Sequence, residues 1–248
     1  MNPAYKNVGI VIPARYQSTR LPGKPLIDLV GKSMIRRTWE RCVEALPSNQ
    51  VFVATDSEII QKHCLDFGAQ VVMTSNRCLT GTDRLAEANL VLQLDLVINV
   101  QGDEPVIDPR DIQTVIQYAK KNDGMIVNAI ASINEESEFR STMIPKVVKT
   151  LNDDLLYMSR SPIPGNKSNV FDFGYKQICI YAFPRSALQK IQSISKKTPF
   201  EEVEDIEILR FLELGLPVKL IEVSGKSVAV DIESDVHKVI KLIKHIEQ

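Results

Sequence analysis

Fifteen residues near the start of the chain, 12–26, read IPARYQSTRLPGKPL. They concentrate three cations (Arg15, Arg20, Lys24), two hydroxyls (Ser18, Thr19), Gly23 and three prolines. Such a stretch is too charged to bury and too rich in proline for a helix interior. It follows the apolar run Val8, Gly9, Ile10, Val11, so it reads as a loop at the end of a first strand, where an α/β sheet holds anions. A solvated basic turn is the plainer alternative. Two aspartates, Asp103 after LVINV and Asp231 after VAV, also stand at strand ends. Paired carboxylates beside a polyphosphate are the ordinary requirement for Mg²⁺, which takes oxygen ligands and keeps several waters. Without His or Cys at their side they do not suit zinc. Each aspartate alone would also serve as a cap for the element that follows it.

The elements that must position these residues alternate. Strands are predicted at 8–13, 51–54, 71–73 and 96–100. Helices follow each, from about 34 to 46, from 58 to 67 behind the N-cap Ser57, from 83 to 92, and from Pro109 to 119. This order implies a mainly parallel sheet covered by helices on both faces, with right-handed crossovers placing every post-strand loop on one edge. Past residue 125 the pattern becomes strand-rich, with strands at 125–133, 146–151, 155–158 and 177–183 and a loop at 161–174. Residues 135–182 read as an insertion, either a small lobe or a dimerisation arm. Helices return at 186–194, 202–214 and 234–246, around strands at 218–223 and 228–230. The expectation is a single domain over 1–248.

The 248 residues, 44% hydrophobic and 25% charged, fit one globular unit with a sizeable core. A net charge of −1 provides no basic field, so neither a nucleic-acid polymer nor a membrane surface is the expected partner. No apolar run approaches the ~20 residues of a membrane span, and the N-terminus lacks the pattern of a signal peptide. Cys42, Cys64, Cys78 and Cys179 are scattered, which suits a reducing, cytoplasmic setting better than a disulfide framework. His63, His237 and His245 fall within predicted helices and read as surface residues. The basic loop is neither a Walker A motif nor G-x-G-x-x-G, which argues against a dinucleotide cofactor.

IPARYQSTRLPGKPL resembles the N-terminal signature of the sugar nucleotidyltransferases, in particular the 3-deoxy-manno-octulosonate (Kdo) cytidylyltransferase family. The likeness continues through VATD (53–56), TGTDRLAEA (80–88), VQGDEP (100–105), KVVKTLNDDLLYMSRSPIP (146–164), IYAF (180–183), EILRFLELG (207–215) and VD (230–231). It implies a Rossmann-like nucleotidyltransferase fold and a cytoplasmic, Mg²⁺-dependent homodimer. Such an enzyme joins CTP to Kdo, releasing pyrophosphate and supplying lipopolysaccharide or capsule. By this resemblance Ala14, Arg15, Ser18, Thr19, Arg20, Lys24, Thr82 and Arg84 would contact CTP, with Arg20, Lys24 and Asp103 catalytic. Asp103 and Asp231 would hold the metal, and Gln101, Arg160, Gln177, Tyr181 and Glu207 would line the sugar pocket. Three departures touch that pocket or its border. The chain has QICIY at 177–181 where the family has His-x-Gly-Ile-Tyr, and Ile208 within its Leu-Glu-Gln-Leu-Arg stretch. Cys78 replaces a histidine before TGTDR. A modified Kdo such as an amino-Kdo therefore stands beside Kdo itself. A nonulosonic acid is the rival within enzymes, disfavoured by RLPGKPL, and a nucleotide-binding regulator is the rival outside them.

Overall fold

The structure is a computed structural model and describes residues 5–17 and 21–247. Its first half repeats strand and helix: β1 (Val8–Ala14), α1 (Met34–Ala45), β2 (Val51–Thr55), α2 (Glu58–Asp66), β3 (Gln70–Met73), α3 (Gly81–Leu92), β4 (Leu96–Val100) and α4 (Pro109–Lys121). The second half holds β5 (Ile126–Ser132), α5 (Glu136–Arg140), β6 (Lys146–Lys149), β7 (Leu155–Ser159), β8 (Tyr175–Pro184) and α6 (Arg185–Gln192). It closes with α7 (Pro199–Glu204), α8 (Leu209–Glu213), β9 (Val218–Glu222) and α9 (Glu233–Ile246).

Along the sheet the order is β3-β2-β1-β4-β8-β5-β9. Strands β3, β2, β1 and β4 are parallel, and β5 and β9 run the same way, separated from them by the antiparallel β8. The chain winds outward from β1 to β3 and then returns to the far side of β1 as β4. Ligands in such sheets bind where the order reverses, outside the carboxyl ends of the two strands. That point lies between β1 and β4, the strands that carry the basic loop and Asp103.

The apolar runs become strands because both faces are covered. Ile10, Ile12, Leu96, Ile98 and Val100 pack with α1, α2 and α4 on one face, while Val11, Val97, Tyr181 and Phe183 meet α3, α6 and α8 on the other. A smaller third core joins Leu29, Met34 and Val230 to Val239 and Ile243 of α9, so the C-terminal helix seals the base of the basic loop.

Most expected elements form within a residue or two of their sequence limits, and four differences are informative. β8, at the end of the strand-rich stretch, lies in the middle of the sheet. One of its edges pairs with β5, and the other is shared by β4 and the β6–β7 hairpin. A short helix, α5, interrupts a region read as strands and loops. The helix expected over 202–214 is broken into α7 and α8 at Asp205, which has φ of 51°. Residues 228–230 form no sheet strand; they strap across the end of β4. Among the described residues no helix is long and apolar enough to cross a membrane.

Candidate active site

The basic loop leaves β1 at the buried Ala14, with Arg15 exposed. Ser18, Thr19 and Arg20 lie outside the described residues. The loop returns at Gly23, which adopts φ of 67° and donates its N–H to the Tyr16 carbonyl. That left-handed turn is cheap for glycine alone and aims the next residue inward. Lys24 Nζ donates to Asp103 Oδ2 at 2.6 Å, to the Val230 carbonyl at 2.7 Å and to Asp231 Oδ1 at 3.3 Å. Burial pulls the lysine pKa down, but the neighbouring carboxylates outweigh it and hold the pKa above its ordinary value.

Two backbone features bring the aspartates together. A Cβ on Gly102 would meet the Pro13 carbonyl at 2.8 Å, so only glycine lets the loop after β4 close against the end of β1. The Val230 N–H donates to the Asp103 carbonyl at 2.9 Å, which fastens the strap carrying Asp231 to that loop. Behind them Glu104 is 4% exposed and accepts from Ser227 Oγ. Burial, reinforced by the Asp103 charge, pushes its pKa up to about 7.

Asp103 and Asp231 present carboxylate oxygens, the donor type a hard divalent cation takes, and they already share one cation, the Lys24 ammonium. Among the described residues no group of three or more His, Cys, Asp or Glu forms a metal cage. A two-carboxylate site leaves the remaining positions to water and phosphate oxygens, as Mg²⁺ sites usually do.

A second group of sequence-derived site residues gathers at the N-terminus of α3. Gln101 packs against Gly81 at the start of α3, its amide about 3.1 Å from where a Cβ would stand. Glu207 accepts from Gly81 N (3.1 Å), Thr82 N (2.7 Å) and Thr82 Oγ1 (2.5 Å), so it occupies the positive end of that helix. Burial raises its pKa while these donors oppose the rise. Three residues on, Arg210 is 1% exposed and bridges Asp83 of α3 and Glu201 of α7. Thr82 and Glu207 are thus partners of one another. Tyr181 is buried, stacked 5.6 Å from Phe183. Burial, reinforced by the Glu104 and Asp103 charges, pushes the Cys179 thiol pKa up.

Two sequence-derived arginines are committed to protein groups. Arg84 is buried and donates to Thr74 Oγ1 (2.5 Å) and Asp56 Oδ2 (3.1 Å), bracing the ends of β2 and β3. Arg160 donates to the carbonyls of Glu204 (2.5 Å), Thr142 (3.0 Å) and Asp205 (3.0 Å), tying together the loops that carry them. Cys78 donates its thiol to Glu87 at 3.2 Å, and burial pushes its pKa to about 12. His63 is no free surface residue, since its Nε2 lies 2.7 Å from the Oγ of Ser33, the N-cap of α1.

Sequence reasoning passed over Lys146, Asn99 and Asn128. Each is a polar residue inside a buried strand, and that mismatch was the available signal. Lys146 is fully buried and donates to the carbonyls of Ser141, Ile144 and Arg160, each at 2.6 Å. Asn99, between Val97 and Gln101 on β4, has no partner among the described residues for either amide atom. Asn128 on β5 pairs in register with Tyr181.

A sheet of this order, with a cationic loop and paired carboxylates at its reversal point, defines a nucleotide-handling α/β protein. The family profile described as Cytidylyltransferase matches residues 9–222, and the chain belongs to that family. It is 41% identical over 241 residues to a 3-deoxy-manno-octulosonate cytidylyltransferase of Myxococcus xanthus, covering 94% of this chain and 95% of the relative. The Escherichia coli protein of the same name is 38% identical over 230 residues, with 93% of each chain covered. A solved CMP:2-keto-3-deoxy-manno-octonic acid synthetase complexed with CTP superposes with a TM-score of 0.90 at 36% identity, covering 97% of this chain and all of that one.

Proposed function

We propose that the protein transfers a cytidylyl group from CTP to Kdo, giving CMP-Kdo and pyrophosphate. The observation that carries this reading is the cluster of Lys24, Asp103 and Asp231 at the sheet's reversal point, in a chain so similar to a synthetase solved with CTP. The anomeric hydroxyl of the sugar would attack the α-phosphorus. A phosphorus–oxygen bond to the sugar forms, the α–β bridge breaks, and the hydroxyl proton passes to a base or water. Positioning and charge neutralisation would dominate, because no covalent enzyme intermediate is needed.

The roles follow from the residues. Lys24, with Arg15 and Arg20 of the same loop, would neutralise the triphosphate, and Ala14, Ser18 and Thr19 would complete the loop's contacts with CTP. Asp103 and Asp231 would hold Mg²⁺, which when bound neutralises phosphate charge and lowers the pKa of the attacking hydroxyl. Gln101, Gln177, Tyr181 and Glu207 would line the sugar-acid pocket. Arg160 would pair with the sugar carboxylate, and Thr82 and Arg84, held by Glu207 and Asp56, would contact CTP. The reading includes a homodimer, for which the exposed Leu151 and Leu156 of the β6–β7 hairpin and Phe200 and Val203 of α7 offer apolar surface. It also includes a cytoplasmic site, where CTP is available, and delivery of the product to lipopolysaccharide or capsule assembly.

The test is pyrophosphate release from CTP with Kdo and Mg²⁺. Release that requires all three is expected, and none with Kdo would overturn the reading. Asp103→Ala should lower kcat about a thousandfold or more, roughly 4 kcal/mol of barrier, while CTP still binds. Near-normal turnover in that variant would remove Asp103 from the metal site.

A further inference from the structure

The register between β5 and β8 breaks at a single point. Asn128 faces Tyr181, yet the next residue, Ala129, faces Ile178, so Cys179 and Ile180 bulge out of that ladder. A bulge leaves backbone groups without ladder partners and re-aims the side chains it carries. Here the buried Asn128 amide repairs the defect. Its Nδ2 donates to the Ile178 carbonyl at 3.0 Å and the Ile180 carbonyl at 3.1 Å.

Those two bonds fix a chain of polarities. A carbonyl only accepts, so the group facing both of them must be the Asn128 NH₂, and both of its protons are used. The Asn128 Oδ1 is therefore turned the other way, and it only accepts. The side chain in contact with it is Gln177, at 3.1 Å, which must present its own Nε2. Oxygen and nitrogen occupy opposite corners of a planar amide. Anchoring Nε2 on a fully buried partner thus turns Gln177 Oε1 away from Asn128. Gln177 is partly exposed and shares its sheet face with Cys179 and Tyr181.

We propose that Asn128 sets the hydrogen-bonding polarity of the sugar-acid pocket, holding Gln177 so that its Oε1 accepts from a hydroxyl or ammonium group of the substrate. Asn128 is a positioning residue; Gln177 is the group that touches the ligand. The inference rests on the cytidylyltransferase reading and names the chemistry its pocket selects: a proton donor opposite Gln177. A ligand group that accepts but cannot donate would face Oε1 across a repulsive contact. A site built to bond a hydroxyl rejects an analogue that leaves its polar group unpaired.

The experiment measures kcat/KM for Kdo and for its monofluoro analogues, one hydroxyl replaced at a time and the reacting anomeric hydroxyl always kept, since fluorine cannot donate. For the wild-type chain one position should be discriminated by about tenfold or more, the cost of one unpaired buried polar group. In Asn128→Ala that ratio should fall below about threefold while the KM for CTP stays put, because Gln177 is then free to turn. Should Asn128→Ala fold poorly, Gln177→Met, at a partly exposed position, must show the same collapse. Wild-type discrimination at no position, or the same ratio in the wild type and both variants, overturns the inference alone. Absence of pyrophosphate release from the wild-type chain overturns the cytidylyltransferase reading and this inference with it.

Discussion

Lys24 stands between two carboxylates, and its removal exposes what it holds apart. Oxygens at 2.6 and 3.3 Å from one nitrogen lie no more than about 6 Å from each other. Two unit charges at ~6 Å repel by about 3 kcal/mol at an effective dielectric of ~20. The side chains of Asp103 and Asp231 are 27% and 30% exposed, so solvent screening lowers this toward about 2 kcal/mol. Lys24→Met keeps the aliphatic stem and deletes the charge. In EDTA it should lower Tm by about 4–8 °C, at 2–4 °C per kcal/mol for a chain of this size. Millimolar Mg²⁺ should return most of that loss, because the divalent ion takes over the neutralisation, and it should raise Tm more in the variant than in the wild type. Thermal unfolding followed by circular dichroism, with and without Mg²⁺, reads both effects. An equal loss in EDTA and in Mg²⁺ would mean that the two aspartates do not share a cation, and the proposed metal site would fall with that result.

Two other buried charges give predictions of different kinds. Arg210→Met leaves the Glu201 carboxylate, 1% exposed, without its partner and should cost about 3–5 kcal/mol in urea unfolding. Adding Glu201→Leu should recover most of it, and a double variant no more stable than the single would refute the pairing argument. Lys146 has its pKa pushed down from 10.5 to about 8 by burial and then by the Arg160 charge. The unfolded chain therefore binds more protons between pH 8 and pH 10.5, and this group's contribution to stability rises with pH across that window. Three carbonyls at 2.6 Å favour the ammonium form, which limits the gain to on the order of 1 kcal/mol. Relative to Lys146→Met, the wild type should gain that much from pH 8 to pH 10.5; parallel profiles would refute it.

What the sequence made legible was what depends on near neighbours. LVINV becomes a central strand because five consecutive residues bury on both faces, and a loop rich in proline and charge can only follow it at an edge. Lys24 and Asp103 were therefore recognisable as strand-end residues before any contact was known. The break at Asp205 was not. Residues 202–214 contain no Gly or Pro to stop a helix, but the carbonyls of Glu204 and Asp205, which a continuous helix would bond to its own next turn, accept from Arg160, more than forty residues earlier. That loss of helical bonding carries Glu207 to the N-terminus of α3 and Arg210 to Asp83, two grips on one helix that a straight helix would not deliver together. Residues 228–230 failed in the opposite sense. VAV has strand composition, but its backbone bonds the Asp103 carbonyl instead of a ladder, and this brings Asp231 to Lys24. The same logic governs the sugar side. The family resemblance marks position 177, where this chain has Gln in place of the family's histidine, yet the direction in which its amide faces depends on a two-residue bulge and on an asparagine one strand away. Residue identity at strand ends is therefore legible locally, while the amide orientation proposed to select the substrate is a long-range property of register.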